Sequence, residues 1–423
     1  MCSMALSPSI LRFREVEKKS LSDYFQFLSL KKREEIRRSA EHLAGKRVVH
    51  INTAPEGGGV AELLKSLVPL ERDIGMKSEW WTVNAPPEFF VVTKKIHNAL
   101  QSSPLSLSEN EKSMYFNVNK KIASDLRGME KADIYIIHDP QPLALIRDFR
   151  EGVMISRMHI DLSNPNQEIL SFLKPYIRAY DCIVFSMKEF AIPGVRTKKA
   201  YILPAIDPFT PKNIHIDETL CCKILQGFGV HSDRPLITQI SRFDPWKDPL
   251  GVIQAYYHAK NEIPNLQLVL VGFAEAQDDP EAYEVFEHVK KHASGDPDIV
   301  VFFDPKTLGT FTNEMLVNAV QTSADVVVQK SLKEGFGLTV TEAMWKGKAV
   351  VAGNVGGIKK QIRNGKDGYL VDTPMEAAGR IVELIRNKKL NVRLGKSAKT
   401  RVKQNFLMSR HLEDHLQLYK NFM

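Results

Sequence analysis

From residue 46 onward, short apolar runs alternate with longer stretches whose apolar positions recur every three or four residues. The first kind reads as buried strand and the second as amphipathic helix. KRVVHIN (46–52) is the first expected strand. It runs into a glycine-rich turn and then a helix from Val60, with Leu63, Leu64, Leu67 and Leu70 on one face and Pro69 placed to bend it. Further strands are expected at 133–138, 153–159, 181–186 and 201–203. After PAIDPFTPKN (204–213), which holds three prolines and no period, the alternation resumes, with strands at 236–241, 266–272, 299–303, 325–330, 349–353 and 368–371. Repeated strand–helix units imply parallel sheets with helices on both faces. Two such runs predict an α/β protein of two Rossmann-like, doubly wound parallel-sheet domains facing a cleft. Breaks in the pattern set the expected boundaries: a helical N-terminal extension over 1–45, with its helix at 21–43, a first domain over 46–210, a second over 211–404, and a last helix over about 405–423 returning to the first domain.

Composition narrows the class. Hydrophobic residues make up 43% of the 423, enough for sizeable cores. No apolar run approaches bilayer-spanning length, and the N-terminus has no basic stretch followed by an apolar one, so neither a membrane anchor nor a secretory leader is expected. Four cysteines, Cys2, Cys182, Cys221 and Cys222, are too few and too irregularly spaced for a disulfide framework or a zinc site. A reduced, cytoplasmic enzyme is the expectation. The formal charge of +8 is spread along the chain and mixed with acids. Its densest cluster, KKREEIRR (31–38), reads as the solvated face of a helix. Such an excess suits an anionic, phosphorylated substrate better than a nucleic-acid groove.

In open parallel sheets, ligands bind beyond the carboxyl ends of strands. After the first strand comes Gly57-Gly58-Gly59 before a helix, where a backbone can approach a phosphate or sugar closely. It matches neither a Walker A loop nor GxGxxG, and a plain tight turn accounts for it equally well. After the first strand of the second domain, Arg242 and Lys247 place a planar fork and a point charge where a diphosphate would lie. After the strand at 325–330 comes KEGFGLTVTEAM (333–344). Its Gly335, Phe336, Gly337, Leu338 and Thr339 lead into a helix whose positive end would face an anion or sugar. Glu334 sits in the loop, and Glu342 is expected about two turns into the helix. A carboxylate accepts from two vicinal hydroxyls, so this pair suits the two sugars at opposite ends of a nucleotide sugar. Two strand-end histidines, His138 and His159, each have an aspartate close by, Asp139 and Asp161.

Together these residues resemble the retaining glycosyltransferases of family 4, which have the GT-B fold. The resemblance rests on Glu334-x₇-Glu342, Ser241-Arg242-x₄-Lys247 and the glycine loop, and covers about residues 46–410. More narrowly, the segments at 57–75, 87–101, 138–146, 157–166 and 241–256 resemble the trehalose glycosyltransferring synthases. One departure is Ala349, where that pattern has proline after Lys348. The resemblance implies transfer of glucose from UDP-, ADP- or GDP-glucose to free glucose, reversibly and with retention, giving trehalose. Arg242 and Lys247 would hold the diphosphate, Glu342 the ribose, and Glu334 with the backbone of residues 335–338 the transferred glucose. His159 would meet the donor sugar, Gly58 and Gly59 the phosphates or acceptor, and the base would lie near residues 302–305.

No metal motif is identified at the strand ends, so no cofactor is expected to be required, with magnesium left open. Nucleotide sugar and glucose or trehalose are the expected partners, with no nucleic acid, no membrane, and a homodimer as the assembly. Candidates for the acceptor side are Glu56, Asn84, Glu88, Lys94, His97, Asp139 and Asp161, each equally consistent with plain surface. The alternatives are a family-4 transferase with another sugar or lipid acceptor, and a non-catalytic nucleotide-sugar-binding protein.

Overall fold

A computed structural model describes residues 9–56, 58–273 and 280–423. The chain forms two compact units, Met1–Leu203 with Ser409–Met423, and Pro204–Met408. The dividing lines fall at 203/204 and 408/409, where 210/211 and 404/405 are expected from the sequence.

In the first unit the strands are β1 (Leu11–Arg14), β2 (Arg47–Asn52), β3 (Lys77–Val83), β4 (Ile134–His138), β5 (Val153–Met158), β6 (Cys182–Phe185) and β7 (Lys198–Tyr201). They lie in the order β1-β3-β2-β4-β5-β6-β7. All pairings are parallel except β1 with β3. The middle strands are buried along their whole length, which is why they read as continuous apolar runs. Two strands escape the sequence pattern. In β3, Ser78, Glu79 and Thr82 interrupt the apolar run, although Ser78 and Thr82 are buried. β1 is too short to show a period, and it adds an edge strand where only a helical extension is expected. The expected helix at 21–43 is split: a short 3₁₀ segment, Leu21–Phe27, precedes an α-helix, Leu30–Leu43, which Ser29 caps by accepting from the Lys32 N–H at 3.3 Å.

The second unit has β8 (Leu236–Ile240), β9 (Gln267–Val271), β10 (Ile299–Phe302), β11 (Val326–Gln329), β12 (Ala349–Gly353) and β13 (Tyr369–Val371). Their order is β10-β9-β8-β11-β12-β13, all parallel. The chain winds outward one way from β8 to β10 and the other way from β11 to β13, so β8 and β11 are neighbours with diverging crossovers. Each such reversal leaves a crevice beyond the strand ends. In the first unit the same reversal lies between β2 and β4. Among the described residues no helix is long and apolar enough to cross a membrane.

Candidate functional site

In the second unit the reversal point brings the loops after β8 and β11 together. After β8 a short turn, Pro245–Lys247, is capped by Asp244, whose Oδ1 accepts the Trp246 N–H at 2.8 Å. Asp248 then takes a left-handed conformation (φ 50°) and caps the helix Pro249–Lys260 by accepting the Gly251 N–H at 3.0 Å. Its other oxygen pairs with the buried Lys330 Nζ at 2.5 Å. This arrangement aims Lys247 across the crevice, where Nζ lies 2.5 Å from Glu334 Oε2. Two residues 87 apart in sequence thus meet because their strands are adjacent. Arg242 lies exposed at the end of β8 in the same loop.

The Glu334 loop is held from several sides. The Leu332 N–H donates to the Trp246 carbonyl at 2.8 Å, and Lys333 Nζ sits 4.4 Å from the centroid of the Trp246 ring. Gly337, at φ 86°, turns the chain into the helix Leu338–Trp345. The buried Gln361 amide donates to the Phe336 carbonyl and, at 3.2 Å, to that of Gly337. The turn after β12 packs directly on the loop: the Gly357 N–H donates to the Glu334 carbonyl at 3.0 Å, and a Cβ at Gly356 would lie 1.8 Å from that oxygen. Glycines at 356 and 357 are therefore a steric requirement of this loop.

Glu342 does not join the Lys247–Glu334 pair. It is the fifth residue of its helix, just over one turn in and not two, because the helix starts only at Leu338. It is 1% exposed, with Oε1 3.4 Å from Lys212 Nζ and Oε2 without a hydrogen-bond partner among the described residues. Neighbouring Lys346 Nζ donates to Gln321 Oε1 at 2.9 Å. Burial pushes its pKa down to about 8, against the attraction of Glu342. Lys212, in the proline-rich stretch, and Lys346 have no motif in the sequence to mark them.

In the first unit, Gly58 caps the helix Gly59–Asp73, and Gly57 lies outside the described residues. The strand-end histidines meet: His138 Nδ1 is 2.9 Å from His159 Nε2. Asp139, with φ 63°, ties the two strand ends by accepting the His159 N–H at 2.8 Å. Burial raises its carboxyl to about 6, against the His159 hydrogen bond and the Arg157 charge. Arg157 is itself buried, donating to the Phe185 and Ile202 carbonyls, and burial depresses it to about 9. His138 also bonds inward, its Nε2 3.1 Å from His50 Nδ1, and His50 Nε2 is 3.1 Å from Glu71 Oε2. His50 and Glu71 escape the sequence reading, since a histidine inside a strand and a glutamate inside a helix carry no motif. Desolvation is the largest influence on both His138 and His159, which are held well below the ordinary imidazole range. Among the acceptor-side candidates, Asp161 accepts the Ser163 N–H at 2.9 Å, the Asn84 N–H donates to the Ile10 carbonyl at 2.7 Å, and His97 bonds Gln101 at 3.2 Å. Glu56 and Glu88 are exposed, and Lys94 is half-buried.

Two family profiles match the chain. One, described as trehalose synthase, N-terminal domain, covers residues 50–192, and the other, glycosyl transferases group 1, covers 223–401. The chain is 42% identical to the trehalose synthase of Pyrococcus horikoshii over 404 residues, spanning 95% of this chain and 96% of that protein. To the trehalose synthase of Rubrobacter xylanophilus it is 43% identical over 412 residues, 96% and 97% of the two chains. A solved sucrose-phosphate synthase from Thermosynechococcus elongatus superposes with a TM-score of 0.67 at 18% identity, over 89% of this chain and 98% of that one. That likeness is one of fold: each unit carries the parallel-sheet α/β architecture of GT-B proteins.

Proposed function

The chain belongs to the trehalose synthase family within the group 1 glycosyltransferases, and from that premise we propose that it moves glucose from a nucleoside-diphosphate glucose to free glucose, reversibly and with retention, forming trehalose. One observation carries the reading: at the sheet reversal of the second unit, a lysine from one loop and a carboxylate from the neighbouring loop lie 2.5 Å apart, and Gly356, Gly357 and Gln361 hold the carboxylate's loop in place. A diphosphate and a sugar ring need that combination side by side, a cation for the phosphates and an acceptor for hydroxyls.

In this reading Lys247 and Arg242 bind the diphosphate, and Glu334 turns to the hydroxyls of the transferred glucose beside the backbone N–H groups of Gly335, Phe336, Gly337 and Leu338. The Oε2 of Glu342, without a hydrogen-bond partner among the described residues, accepts from the ribose, with Thr339 at the start of the same helix alongside the nucleotide. Gly58 and Gly59 lie by the phosphates or the acceptor, and His159 faces the transferred sugar. The acceptor hydroxyl oxygen bonds to the anomeric carbon on the face from which the phosphate leaves. The C–O bond to phosphate breaks with its electron pair going to the diphosphate, and the hydroxyl proton passes to the departing phosphate oxygen. Arg242 and Lys247 stabilise the charge that grows there, each contributing about a hundredfold or more in rate. The reaction is proposed to need no metal ion or cofactor, and the working form to be a cytoplasmic homodimer.

The test incubates purified protein with UDP-, ADP- or GDP-glucose and free glucose, with and without a chelator, and identifies the product by chromatography and NMR. Trehalose from at least one donor is expected. Donor hydrolysis alone, or transfer only to glucose 6-phosphate, would overturn the reading.

A further inference from the structure

The first unit holds a row of ring nitrogens that the transfer step above does not use. Glu71 Oε2, in the helix Gly59–Asp73, is 3.1 Å from His50 Nε2 on β2. His50 Nδ1 is 3.1 Å from His138 Nε2 at the end of β4, and His138 Nδ1 is 2.9 Å from His159 Nε2 just after β5. The rings are nearly parallel, at interplanar angles of 28° and 17°. Glu71 and His50 are wholly buried and His138 nearly so, whereas His159 is only half-buried. The row therefore runs from the interior outward.

Its inner end is fixed as an acceptor. Ser78 Oγ donates to Glu71 Oε2 at 2.5 Å, and the Tyr419 hydroxyl donates to Oε1 at 2.7 Å. Burial opposes ionisation of Glu71, but its neighbours His50, His415 and Ser78 outweigh it and hold the carboxyl below its ordinary range.

We propose that Glu71, His50 and His138 are positioning residues forming a proton relay that dictates which nitrogen of His159 carries hydrogen. Each link accommodates one hydrogen. With Glu71 ionised and the rings neutral, His50 must donate from Nε2, so its Nδ1 accepts from His138 Nε2, whose Nδ1 in turn accepts from His159 Nε2. His159 Nδ1 is then a bare acceptor, ready for a sugar hydroxyl. One further proton reverses the row. It enters at His159 Nδ1, the Nε2 hydrogen of His159 moves to His138 Nδ1, and the Nε2 hydrogen of His138 moves to His50 Nδ1. Four ring hydrogens replace three, His159 becomes a donor while staying neutral, and the positive charge rests on His50 against Glu71.

The surroundings favour that resting place. Arg157 from β5 and His415 from the helix Met408–Lys420 face the outer two rings and, with burial, disfavour a cation on either. Asp139 occupies the His159 backbone N–H, and Tyr419 and His415 face Glu71 from the same helix. A purely packed core would place apolar side chains here, because each buried ring nitrogen must find a partner.

The inference rests on the proposed role of His159 at the transferred sugar, so the test separates the two. The full chain is labelled with ¹⁵N-histidine, the His159 signals are assigned by their loss in His159→Asn, and its tautomer is read without substrate. The native protein is expected to carry the hydrogen on Nε2 near neutral pH and to switch to Nδ1 on acidification. In Glu71→Gln the amide would donate to His50 Nε2, so the row should be inverted, with His159 protonated on Nδ1 even at alkaline pH. In His138→Phe, which cuts the row while filling the space, the switch should vanish. Glucosyl transfer by Glu71→Gln should lose about tenfold or more in kcat with little change in glucose KM. A His159 tautomer and switch unchanged in either folded variant would overturn the relay. An inverted tautomer in a protein that transfers no glucosyl group would leave the relay standing and remove the proposed function instead.

Discussion

Lys247 Nζ and Glu334 Oε2 lie 2.5 Å apart across the reversal point of the second sheet. Opposite charges in a half-buried crevice hold one another in place before any substrate arrives. Lys247→Ala is expected to lower kcat by about a hundredfold to a thousandfold with a smaller change in donor KM. Glu334→Gln should be nearly as damaging. The double variant should cost much less than the product of the two, because the residues act as a pair. Steady-state kinetics of the four proteins provide the cycle, and simple additivity would show that the pairing has no part in catalysis.

Glu342→Gln isolates the other carboxylate. Its Oε2 has no hydrogen-bond partner among the described residues, and its Oε1 faces Lys212. Donor affinity should fall about tenfold, roughly 1.4 kcal/mol, with kcat little changed. Calorimetric titration with the nucleoside diphosphate alone would register the same loss if the contact is to the ribose.

The loop glycines separate steric need from helix propensity. At Gly356, with φ 39°, an added Cβ would come within 1.8 Å of the Glu334 carbonyl oxygen. Gly356→Ala should displace the loop and reduce donor binding at least about tenfold, with a lower melting temperature. Gly379, exposed within the helix Pro374–Arg386, has nothing within 4 Å of its added Cβ. Gly379→Ala should stabilise the chain by about 0.5–1 kcal/mol with activity unchanged. Thermal melts of both variants check the contrast.

Acid should weaken the first unit for a specific reason. Burial, followed by the charge of Arg157, lies behind the depression of His159, and burial takes His415 from 6.5 to about 3 against the pull of Glu71. His138 and His411 are depressed with them. In each case the unfolded chain binds a proton that the folded one resists. The stability these groups leave intact above about pH 6.5 therefore declines as pH falls toward about 3. His415→Gln should flatten the dependence by up to about 1.4 kcal/mol per pH unit across that window. Denaturant midpoints measured between about pH 8 and about pH 5 would show the difference in slope, and parallel curves would refute the assignment.

Most of the fold was legible because buried parallel strands announce themselves as apolar runs between amphipathic helices. β12 matches its expected bounds, and the other expected strands differ by a residue or two except β7, which starts at Lys198, earlier than expected, while β1 and β3 were not expected at all. β3 was hidden because its inward side chains include Ser78 and Thr82, polar groups satisfied by partners on other elements, Glu71 and Arg14. The pairing of Lys247 with Glu334 was implied only as far as both lie in loops at strand ends, since which strands are neighbours is set by winding order. Lys212, His50 and Glu71 were illegible for a related reason. Each gains its meaning from one tertiary neighbour, Glu342, His138 or Tyr419, and no local spacing records that neighbour.

The helix Met408–Lys420 gives the first unit Leu412, Leu416 and Tyr419, all fully buried, and the Tyr419 hydroxyl closes on Glu71. These residues leave the ribosome only after every residue of the second unit has been made. The second unit is one contiguous stretch of chain, whereas the first, begun earlier, must wait for its last helix before its interior is sealed.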